Sequence, residues 1–217
     1  MLGREKVSPN NDLLIKNIKS KTVLVTGAGG SIGGQLCREI FKLKPHKILL
    51  LDSNEFALYS ILDELNLSNS KNSVELIPLL TSVQDEVKIK TILKTWRPNT
   101  VYHAAAYKHV PIVEHNLSEG VKNNVFGTLL MAKASLEMGI EDFVFISTDK
   151  AVRPTNIMGA TKRLGEICLQ ALFSNKKENQ LTKFSMVRFG NVLDSSGSVI
   201  PKFRKQIKER VPLTVTH

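Results

Sequence analysis

The sequence predicts an α/β fold of the Rossmann type, a doubly wound parallel sheet with helices on both faces. Short apolar strands without polar alternation each precede a segment of helical spacing, as expected for parallel strands that are buried on both faces. Glycines at positions 27, 30 and 33 follow the first strand, and a dense group of polar residues follows the strand that ends near residue 147. Open α/β sheets bind ligands at such strand ends, so the pattern also predicts where the site lies.

Strand and helix alternate along the chain after a polar leader over residues 1–20. The first strand is an apolar, β-branched run, and the fifth is the apolar run Phe143–Ile146, which Pro154 prevents from continuing. The segment that begins at Ile157 has helical spacing. The predicted strands are residues 22–26, 47–51, 74–79, 100–103, 143–147 and 183–188; the predicted helices are residues 32–43, 55–67, 85–95, 118–138 and 157–174, with an Asn- and Ser-rich turn over 66–73.

The turn after the first strand carries the signature of a dinucleotide site. Gly27 permits a tight turn, Gly30 lets backbone amides approach a pyrophosphate, and Gly33 lets the following helix pack against the sheet. The helix N-terminus then holds the phosphates. A plain strand-to-helix turn is the alternative, and the flanking pattern argues against it. The predicted phosphate-binding residues are Gly27, Gly30, Ser31, Ile32 and Gly33.

The second strand ends in Asp52, nineteen residues after Gly33. An acidic side chain at about this interval accepts hydrogen bonds from the adenosine ribose. Because a carboxylate repels a 2′-phosphate and no arginine follows it immediately, the sequence favours NAD over NADP as the cofactor.

Candidate catalytic residues lie where the fifth strand ends. Thr148, Asp149 and Lys150 follow the apolar run directly. Met158 and Lys162 are four residues apart on the next helix, so both side chains can meet one bound ligand. The alternative interpretation is that the loop charges are solvated, the methionine fills the core and the lysine lies on the surface.

The composition is that of a cytoplasmic α/β enzyme domain. The chain has 217 residues, of which 42% are hydrophobic, enough for one substantial core. We predict no transmembrane segment, since no stretch approaches the roughly 20 apolar residues that span a bilayer, and no signal peptide. Cys37 and Cys168 lie in helical segments without metal-site spacing, so we expect reduced thiols and no metal.

The formal net charge of +10 raises the alternative of a nucleic-acid or membrane partner. The basic residues are scattered, with clusters at 16–21, 88–94 and 202–210, and aromatic residues make up only 6% of the chain. Such clusters are usually solvated faces, so we predict no nucleic-acid partner. The last cluster is amphipathic enough to contact an acidic partner or a membrane surface, and the positive field would attract a nucleotide diphosphate.

Several motifs in order resemble those of the extended short-chain dehydrogenase/reductases. They are the glycine turn, His103–Pro111, Lys122–Thr128, Ser147–Lys150 and Arg188–Leu193. More narrowly, they resemble the polysaccharide-biosynthesis 4,6-dehydratases that act on UDP-N-acetylglucosamine. The resemblance runs from about residue 13 to the C-terminus and implies a UDP-sugar substrate, with a homo-oligomer as a further partner.

The leader adds to this resemblance. Residues 2–5 resemble the stretch that joins the membrane-anchored part of long-form dehydratases to their catalytic domain. This implies a longer parent protein at the cytoplasmic face of the inner membrane.

The resemblance implies a reaction and a role for each residue at the fifth strand. Hydride passes from sugar C4 to NAD⁺, water is eliminated across C5 and C6, and the hydride returns to C6. Thr148 would bind the C4 hydroxyl, Asp149 would be the acid and Lys150 the base. Lys162 would orient the nicotinamide ribose and supply a nearby positive charge. Met158 replaces the tyrosine of most relatives, as it does in long-form dehydratases.

Both proton-transfer assignments make physical demands. A carboxylic acid stays protonated near neutrality only if burial raises its pKa, and a lysine acts as a base only if burial or a nearby cation lowers its own.

Other site residues follow from the same resemblance. Asn124 would support the active-site lysine through backbone and water, and Ala104, Ala105 and Ala106 would form a floor under the cofactor. A tightly packed strand end is the alternative for the alanines, and a structural role is the alternative for His103 and His109. The remaining predicted contacts are Ser82 and Val83 for the cofactor, and Lys108, His109 and Asn191 for the substrate.

Three features depart from the family pattern. Ser82 stands where the family has an Asp that binds the adenine amino group, so we expect weaker cofactor binding. Asp194 stands where a glycine is usual; its carboxylate would repel the substrate diphosphate or fail to adopt a glycine backbone angle. The chain ends at residue 217, where relatives continue. We therefore predict a leader or linker over 1–20, an NAD-binding domain over 21–200 and the start of an incomplete substrate region over 201–217, with most of that region missing.

Two other functions stay open. A nucleotide-sugar epimerase or simple dehydrogenase would use the same fold, but it needs the tyrosine that Met158 replaces. A non-catalytic or degenerate NAD-binding fragment is favoured by Ser82, Asp194 and the position of the last residue.

Overall fold

Six parallel strands form one sheet in the order β3-β2-β1-β4-β5-β6. The computed structural model describes residues 8–69, 73–178, 180–192 and 199–213. The predicted Rossmann-type fold is confirmed. The strands are β1 (Thr22–Thr26), β2 (Lys47–Asp52), β3 (Glu75–Leu80), β4 (Thr100–His103), β5 (Asp142–Thr148) and β6 (Lys183–Phe189).

Helices connect the strands, and each crossover returns the chain to the end of the sheet at which the strands begin, so that all strands run parallel. The helices are α1 (Asn11–Ile18), α2 (Ser31–Lys42), α3 (Glu55–Ser68), α4 (Glu86–Trp96), α5 (Val110–His115), α6 (Leu117–Val121), α7 (Gly127–Glu137), α8 (Ile157–Ser174) and α9 (Val199–Lys208), with a π-helical turn at Lys122–Phe126 and a 3₁₀ turn at Asp149–Ala151.

Two hydrophobic clusters cover the two faces of the sheet. Alternate residues of one strand point to opposite faces, so Val23 and Val25 of β1 pack with α1, α2 and α3, while Leu24 packs with α4, α7 and α8. The neighbouring strand divides in the same way, with Ile48 and Leu50 on the first face. This arrangement explains why the strands are apolar without alternation.

The predicted strands agree with the observed ones to within about one residue at each end. The predicted helix over 118–138 is interrupted, because the π-helical turn separates α6 from α7. Helices α1, α5 and α9 and the 3₁₀ turn were not predicted. Each has ten residues or fewer, and so short a segment carries little periodic signal.

Some predicted features lie outside the described residues. They are the stretch 2–5, Asp194, the chain end over 214–217 and residues 70–72 of the predicted turn over 66–73. That turn begins later than predicted, because α3 continues to Ser68. Within the described ranges, every helix is too short or too polar to cross a lipid bilayer. The same ranges hold no group of three His, Cys, Asp or Glu side chains that could bind a metal ion.

The strand order reverses between β1 and β4, which are neighbours although β2 and β3 lie between them in sequence. Helices that follow the two strands depart to opposite faces of the sheet and leave a crevice at their carboxyl ends. The turn after β1 therefore lies directly beside the loop after β4.

Backbone packs on backbone at this crevice. Gly27 has a φ of +66°, and a Cβ placed on it would lie 2.8 Å from the Cα of Ala105. A Cβ on Gly33, in the first turn of α2, would collide with the carbonyl oxygen of Gly27. Helix α2 thus approaches the turn more closely than any side chain allows.

We expect Gly33→Ala to lower the free energy of unfolding by about 2 kcal/mol or more, because the methyl group must displace a backbone carbonyl. Denaturant unfolding measures the effect. The matched control is Gly34→Ala on the same helix, where the nearest atom, the oxygen of Ala28, is 3.3 Å away. That mild contact is offset by the better helix propensity of alanine, about 1 kcal/mol. Equal effects of the two substitutions would contradict this account of α2 packing.

Candidate active site

Two adjoining cavities of about 240 and 580 Å³ lie at the carboxyl ends of the strands. They share part of their walls, from the glycine turn after β1 and the loop after β4. The shared residues are Gly27, Gly30, Ala104, Ala106 and Tyr107. One extended ligand could therefore occupy both.

The smaller cavity contains Asp52, at the end of β2. Its two carboxylate oxygens accept hydrogen bonds from the backbone N–H groups of Gly29 and Asn54, each at 2.9 Å. Leu51, Ala57 and Val83 add apolar surface beside the carboxylate. An apolar wall with one fixed carboxylate fits the adenosine end of a dinucleotide.

The end of β3 places its residues differently from the sequence-based expectation. Thr81 and Val83 line the smaller cavity. The hydroxyl oxygen of Ser82 instead accepts a hydrogen bond from the backbone N–H of Gln84 at 3.1 Å. Ser82 therefore supports the local turn, and its neighbours supply the surface of the cavity.

Gly29 is a further residue of the turn that the glycine motif did not single out. A Cβ on Gly29 would lie 2.5 Å from the Cβ of Ala57 on α3. Its N–H also binds Asp52. Gly29, the second glycine of the run Gly27–Gly30, is thus required where α3 crosses the turn.

The larger cavity brings together most of the predicted catalytic and substrate residues with three of the predicted phosphate-binding residues. They come from four separate stretches of chain, the turn after β1 and the segments after β4, β5 and β6. Those on its wall are Ser31, Ile32, Gly33, Lys108, His109, Thr148, Lys150, Met158, Lys162 and Asn191.

Lys162 lies at the inner wall of this cavity and is 6% exposed. Its Nζ donates a hydrogen bond to the carbonyl oxygen of Ile146 at 2.8 Å and lies 4.6 Å from the centre of the Phe145 ring. Burial lowers the pKa of Lys162 to about 7, against the opposing effect of the Glu166 carboxylate. Met158 is buried one helical turn earlier on α8.

Asp149 and Lys150 form an exposed ion pair in the 3₁₀ turn after β5. Lys150 Nζ lies 3.2 Å from Asp149 Oδ1 and 3.1 Å from Asn191 Oδ1. The Thr148 hydroxyl donates to Asp149 Oδ1 at 3.0 Å. Desolvation would raise the pKa of Asp149, but the hydrogen bonds from Lys150 and Thr148 outweigh it and hold the pKa below its usual value.

The environment of Asp149 therefore differs from what an acid requires. Its side chain is 53% exposed and lies beside the cavity, against Lys150. In the ligand-free chain the carboxyl group is ionised near neutrality.

Asn124 lies behind the cavity wall, fully buried in the π-helical turn. Its side chain binds the backbone of Tyr107 and the hydroxyl of Thr161, the residue before Lys162. Asn124 thus contacts α8 through its hydrogen bond to Thr161.

Glu166 is a site residue that the motifs do not reveal. It is fully buried, and its carboxylate accepts hydrogen bonds from Ser147, Arg163 and Arg188 at 2.7 to 2.9 Å. These bonds, those of Arg188 above all, outweigh the effect of burial and lower the pKa of Glu166 to about 2. Its spacing is a usable signal, since it continues the four-residue series of Met158 and Lys162 on one face of α8.

Comparison with known proteins identifies the family of the chain. The family described as "Polysaccharide biosynthesis protein" matches residues 23–217. The chain belongs to this family. The resemblance found in the motifs is thereby confirmed, and relatives of the chain include proteins named UDP-N-acetylglucosamine 4,6-dehydratase and UDP-glucose 4-epimerase.

Individual relatives in this family are longer than the chain. Capsular polysaccharide biosynthesis protein CapD of Staphylococcus aureus is 46% identical over 217 residues, which are 100% of this chain and 36% of CapD. A UDP-N-acetylglucosamine 4,6-dehydratase (inverting) of Campylobacter jejuni is 34% identical over 200 residues, 90% of this chain and 57% of that protein. The solved structure of Pen from Bacillus thuringiensis superimposes with a TM-score of 0.85 at 32% identity, covering 93% of this chain and 61% of that one.

We expect Glu166→Gln to lower the free energy of unfolding by about 3 kcal/mol at pH 7, because it leaves two guanidinium groups without their carboxylate. The folded-state pKa of Glu166, about 2, lies below the usual value of 4.5 for a glutamate. Its stabilising contribution is therefore complete above about pH 4.5 and is lost as the pH falls towards 2. Urea unfolding from pH 7 to 3 should show the two proteins converging. The exposed control Glu119→Gln should change stability by less than about 1 kcal/mol.

Lys162→Met should have the opposite effect on stability. The folded-state pKa of Lys162, about 7, lies below the usual value of 10.5 for a lysine. Holding its charge in the folded protein is therefore costly below about pH 7, and the cost fades as the pH rises towards 10. We expect the variant to be more stable by at least about 1 kcal/mol at pH 6, a gain that shrinks with pH.

Thermal unfolding across this pH range is the measurement. Lys176→Met is the matched control, because Lys176 is only half-buried and also lies over a phenylalanine ring, at 4.7 Å. A pH-independent gain, or an equal gain in the control, would refute the burial argument for Lys162.

Proposed function

We propose that this chain is the NAD-binding catalytic core of a nucleotide-sugar 4,6-dehydratase, a lyase that converts UDP-N-acetylglucosamine to a UDP-4-keto-6-deoxy sugar for surface polysaccharide. The observation that carries the proposal is the common wall of the larger cavity. It joins the glycine turn to Thr148, Lys150 and Lys162. Met158 on the same wall supports dehydration over epimerisation, because an epimerase would need a tyrosine at this position.

NAD is the cofactor that the residues fit. Asp52 offers a fixed carboxylate to an unmodified ribose and would repel a 2′-phosphate. Small residues of the glycine turn and of the loop at Ala104–Ala106 leave room for the dinucleotide. When bound there, NAD⁺ supplies the acceptor and donor of hydride for the sugar. Lys162, at the inner wall, is placed to hold the nicotinamide ribose.

The Asp149 and Lys150 pair would supply the elimination. Lys150 takes the proton from sugar C5, the C6–O bond breaks, and Asp149 gives a proton to the departing hydroxyl, which leaves as water. This requires a neutral amine and a neutral carboxylic acid. Transfer of one proton along the 3.2 Å hydrogen bond from Lys150 to Asp149 produces both at once.

A bound sugar would favour that transfer. In water the ion pair is stable, which agrees with the exposure of both side chains in the ligand-free chain. When substrate excludes water, charges become costly and the neutral pair gains relative to the ion pair. The role of substrate in this proposal is therefore to create the acid and the base as well as to occupy the site.

Epimerisation is the second candidate, because relatives with that name belong to the same family. The thioether of Met158 cannot exchange a proton, which argues against a reaction that depends on a tyrosine at this position. The products separate the two reactions. A dehydratase product has lost one water, whereas an epimer keeps the mass of the substrate.

The test is incubation of the purified chain with UDP-N-acetylglucosamine and NAD⁺, followed by mass spectrometry and NMR of the sugar. We expect a 4-keto-6-deoxy product. Calorimetric titration with NAD⁺ alone tests the cofactor separately. NAD⁺ binding without any product would reject catalysis by this chain, and an absence of both would favour a non-catalytic fragment.

Lys150→Met should reduce formation of the product by at least about 100-fold, because the base for C5 is lost. The dissociation constant for NAD⁺ should stay within about 2-fold, since Lys150 lies on the wall of the larger cavity, away from Asp52. Lys94→Met, an exposed lysine on α4, is the control and should leave both quantities unchanged. Normal turnover in Lys150→Met would remove this residue from the mechanism.

A further inference from the structure

A chain of buried polar side chains runs behind the cavities from β1 to the π-helical turn. Its members are Thr26, His103, Thr128 and Asn124, and all four are fully buried. Burying polar groups is costly unless each is hydrogen-bonded. Apolar side chains would fill the same space without that cost, so this row of hydrogen-bonded polar side chains needs a functional explanation.

The direction of every hydrogen bond in this chain is fixed by its two ends. Thr128 Oγ1 lies 2.7 Å from the carbonyl oxygen of Asn124, which can only accept, so the Thr128 hydroxyl donates there. Thr128 Oγ1 also lies 3.0 Å from His103 Nε2. Because the one hydroxyl proton of Thr128 is already donated to Asn124, Oγ1 can only accept a hydrogen bond from this nitrogen. His103 therefore carries its proton on Nε2.

The other end leads to the same tautomer. The backbone N–H of Ala105 donates to Thr26 Oγ1 at 3.2 Å. The hydroxyl proton of Thr26 is then available for His103 Nδ1, 2.8 Å away, which must be the acceptor. His103 is thus a neutral imidazole that donates through Nε2 and accepts through Nδ1.

Its surroundings keep His103 neutral. Burial, together with the positive charge of Lys162, lowers the pKa of His103 to about 3. The rings of Phe143 and Phe145 lie 5.8 and 5.9 Å from it. The chain of hydrogen bonds therefore keeps its direction at every pH at which the protein would work.

Asn124 links this chain to both walls of the larger cavity. Its Nδ2 donates to the carbonyl oxygen of Tyr107 at 2.9 Å and to Thr161 Oγ1 at 3.1 Å, which uses both amide protons. Its Oδ1 accepts from the N–H of Tyr107 at 2.8 Å and from Asn123 Nδ2 at 3.0 Å. The side chain has no donor to spare for a catalytic step, and its bonds hold the Tyr107 segment against α8.

We propose that His103 and Thr128 are positioning residues, which fix Asn124 and through it the cavity wall that carries Lys108 and His109. This inference rests on the proposed function, in which the cavity is the active site. The positioning of Asn124 by His103 and Thr128 can nevertheless be tested without measuring turnover. The hydrogen bonds of Asn124 keep the loop after β4, which forms one wall of the cavity, in a fixed position relative to the first turn of α8. A misplacement of about 1 Å in such a wall can cost a reaction about 100-fold.

Thr128→Val and Thr128→Ser are a matched pair for the test. Valine has the shape of threonine but lacks the hydroxyl, so it leaves His103 Nε2–H and the Asn124 carbonyl without their bridge. Serine keeps the hydroxyl. Amide hydrogen exchange at Tyr107, whose N–H is held by Asn124, should accelerate at least about 10-fold in the valine variant and return towards the wild-type rate in the serine variant.

A reporter amide distinguishes positioning from a general loss of stability. The backbone N–H of Leu49, in the middle of β2, exchanges only when the sheet opens. We expect exchange at Tyr107 to rise more than exchange at Leu49 in Thr128→Val. Equal acceleration at both amides would show a merely structural role, and no acceleration at Tyr107 would show that Thr128 does not hold Asn124; either result overturns the proposal.

The ring of His103 provides a spectroscopic signature. ¹⁵N NMR of the imidazole should show the neutral Nε2–H tautomer throughout the range from about pH 5.5 to 8. A protonated ring or the Nδ1–H tautomer would contradict the assigned direction of the hydrogen bonds.

Kinetics add a third readout where the dehydratase reaction is observed. Thr128→Val should lower kcat by about 10-fold or more with the dissociation constant of NAD⁺ within about 3-fold, and Thr128→Ser should restore kcat. A change confined to NAD⁺ binding would overturn the proposal. If the chain shows no dehydratase activity, the proposed function fails while the positioning role of Thr128 can still be tested, because hydrogen exchange and NMR need no substrate.

Discussion

The contact between the turn after β1 and the loop after β4 is the constraint on which the site depends. Gly27 lies so close to Ala105 that no side chain fits between them, and Gly33 lets α2 close on the same turn. Thr26 and His103, at the ends of the two strands, join the same elements by a hydrogen bond. Because the sheet reverses its strand order here, this one contact brings the glycine turn against the wall of the larger cavity.

Two lysines of the cavity occupy different electrostatic environments. Lys162 is buried against Phe145, and burial disfavours its charge, whereas Lys150 remains exposed and is paired with Asp149. Below Lys162 on the same face of α8, Glu166 satisfies two arginines and a serine in the interior. One face of α8 thus carries a buried amine whose positive charge is destabilised by burial and a carboxylate whose negative charge offsets part of that effect. Such a loss of stability is common at functional sites.

Family membership and specific chemistry rest on different observations. The family follows from a match over residues 23–217, but relatives of the chain carry the names of both dehydratases and epimerases. The chain spans only 36% of CapD and 57% of the similar dehydratase, so the reaction of a whole relative does not transfer to it directly. The proposed reaction rests on a local feature of this chain, the thioether of Met158 near the Asp149–Lys150 ion pair at the end of β5.

The sequence by itself determined the sheet, the glycine turn and the shared helix face of Met158 and Lys162, because each is encoded by residues close together in the chain. Apolar runs mark buried strands, and a four-residue spacing marks one face of a helix. Glu166 lies on that same spacing and could have been found from it. The tertiary structure alone decided that Asp149 is exposed and ion-paired, and that a π-helical turn interrupts the helix predicted over residues 118–138. It alone also decided that Asn124 holds Tyr107 and that His103 bridges two threonines, because such hydrogen bonds join residues 17 to 77 positions apart and depend on the folded sheet.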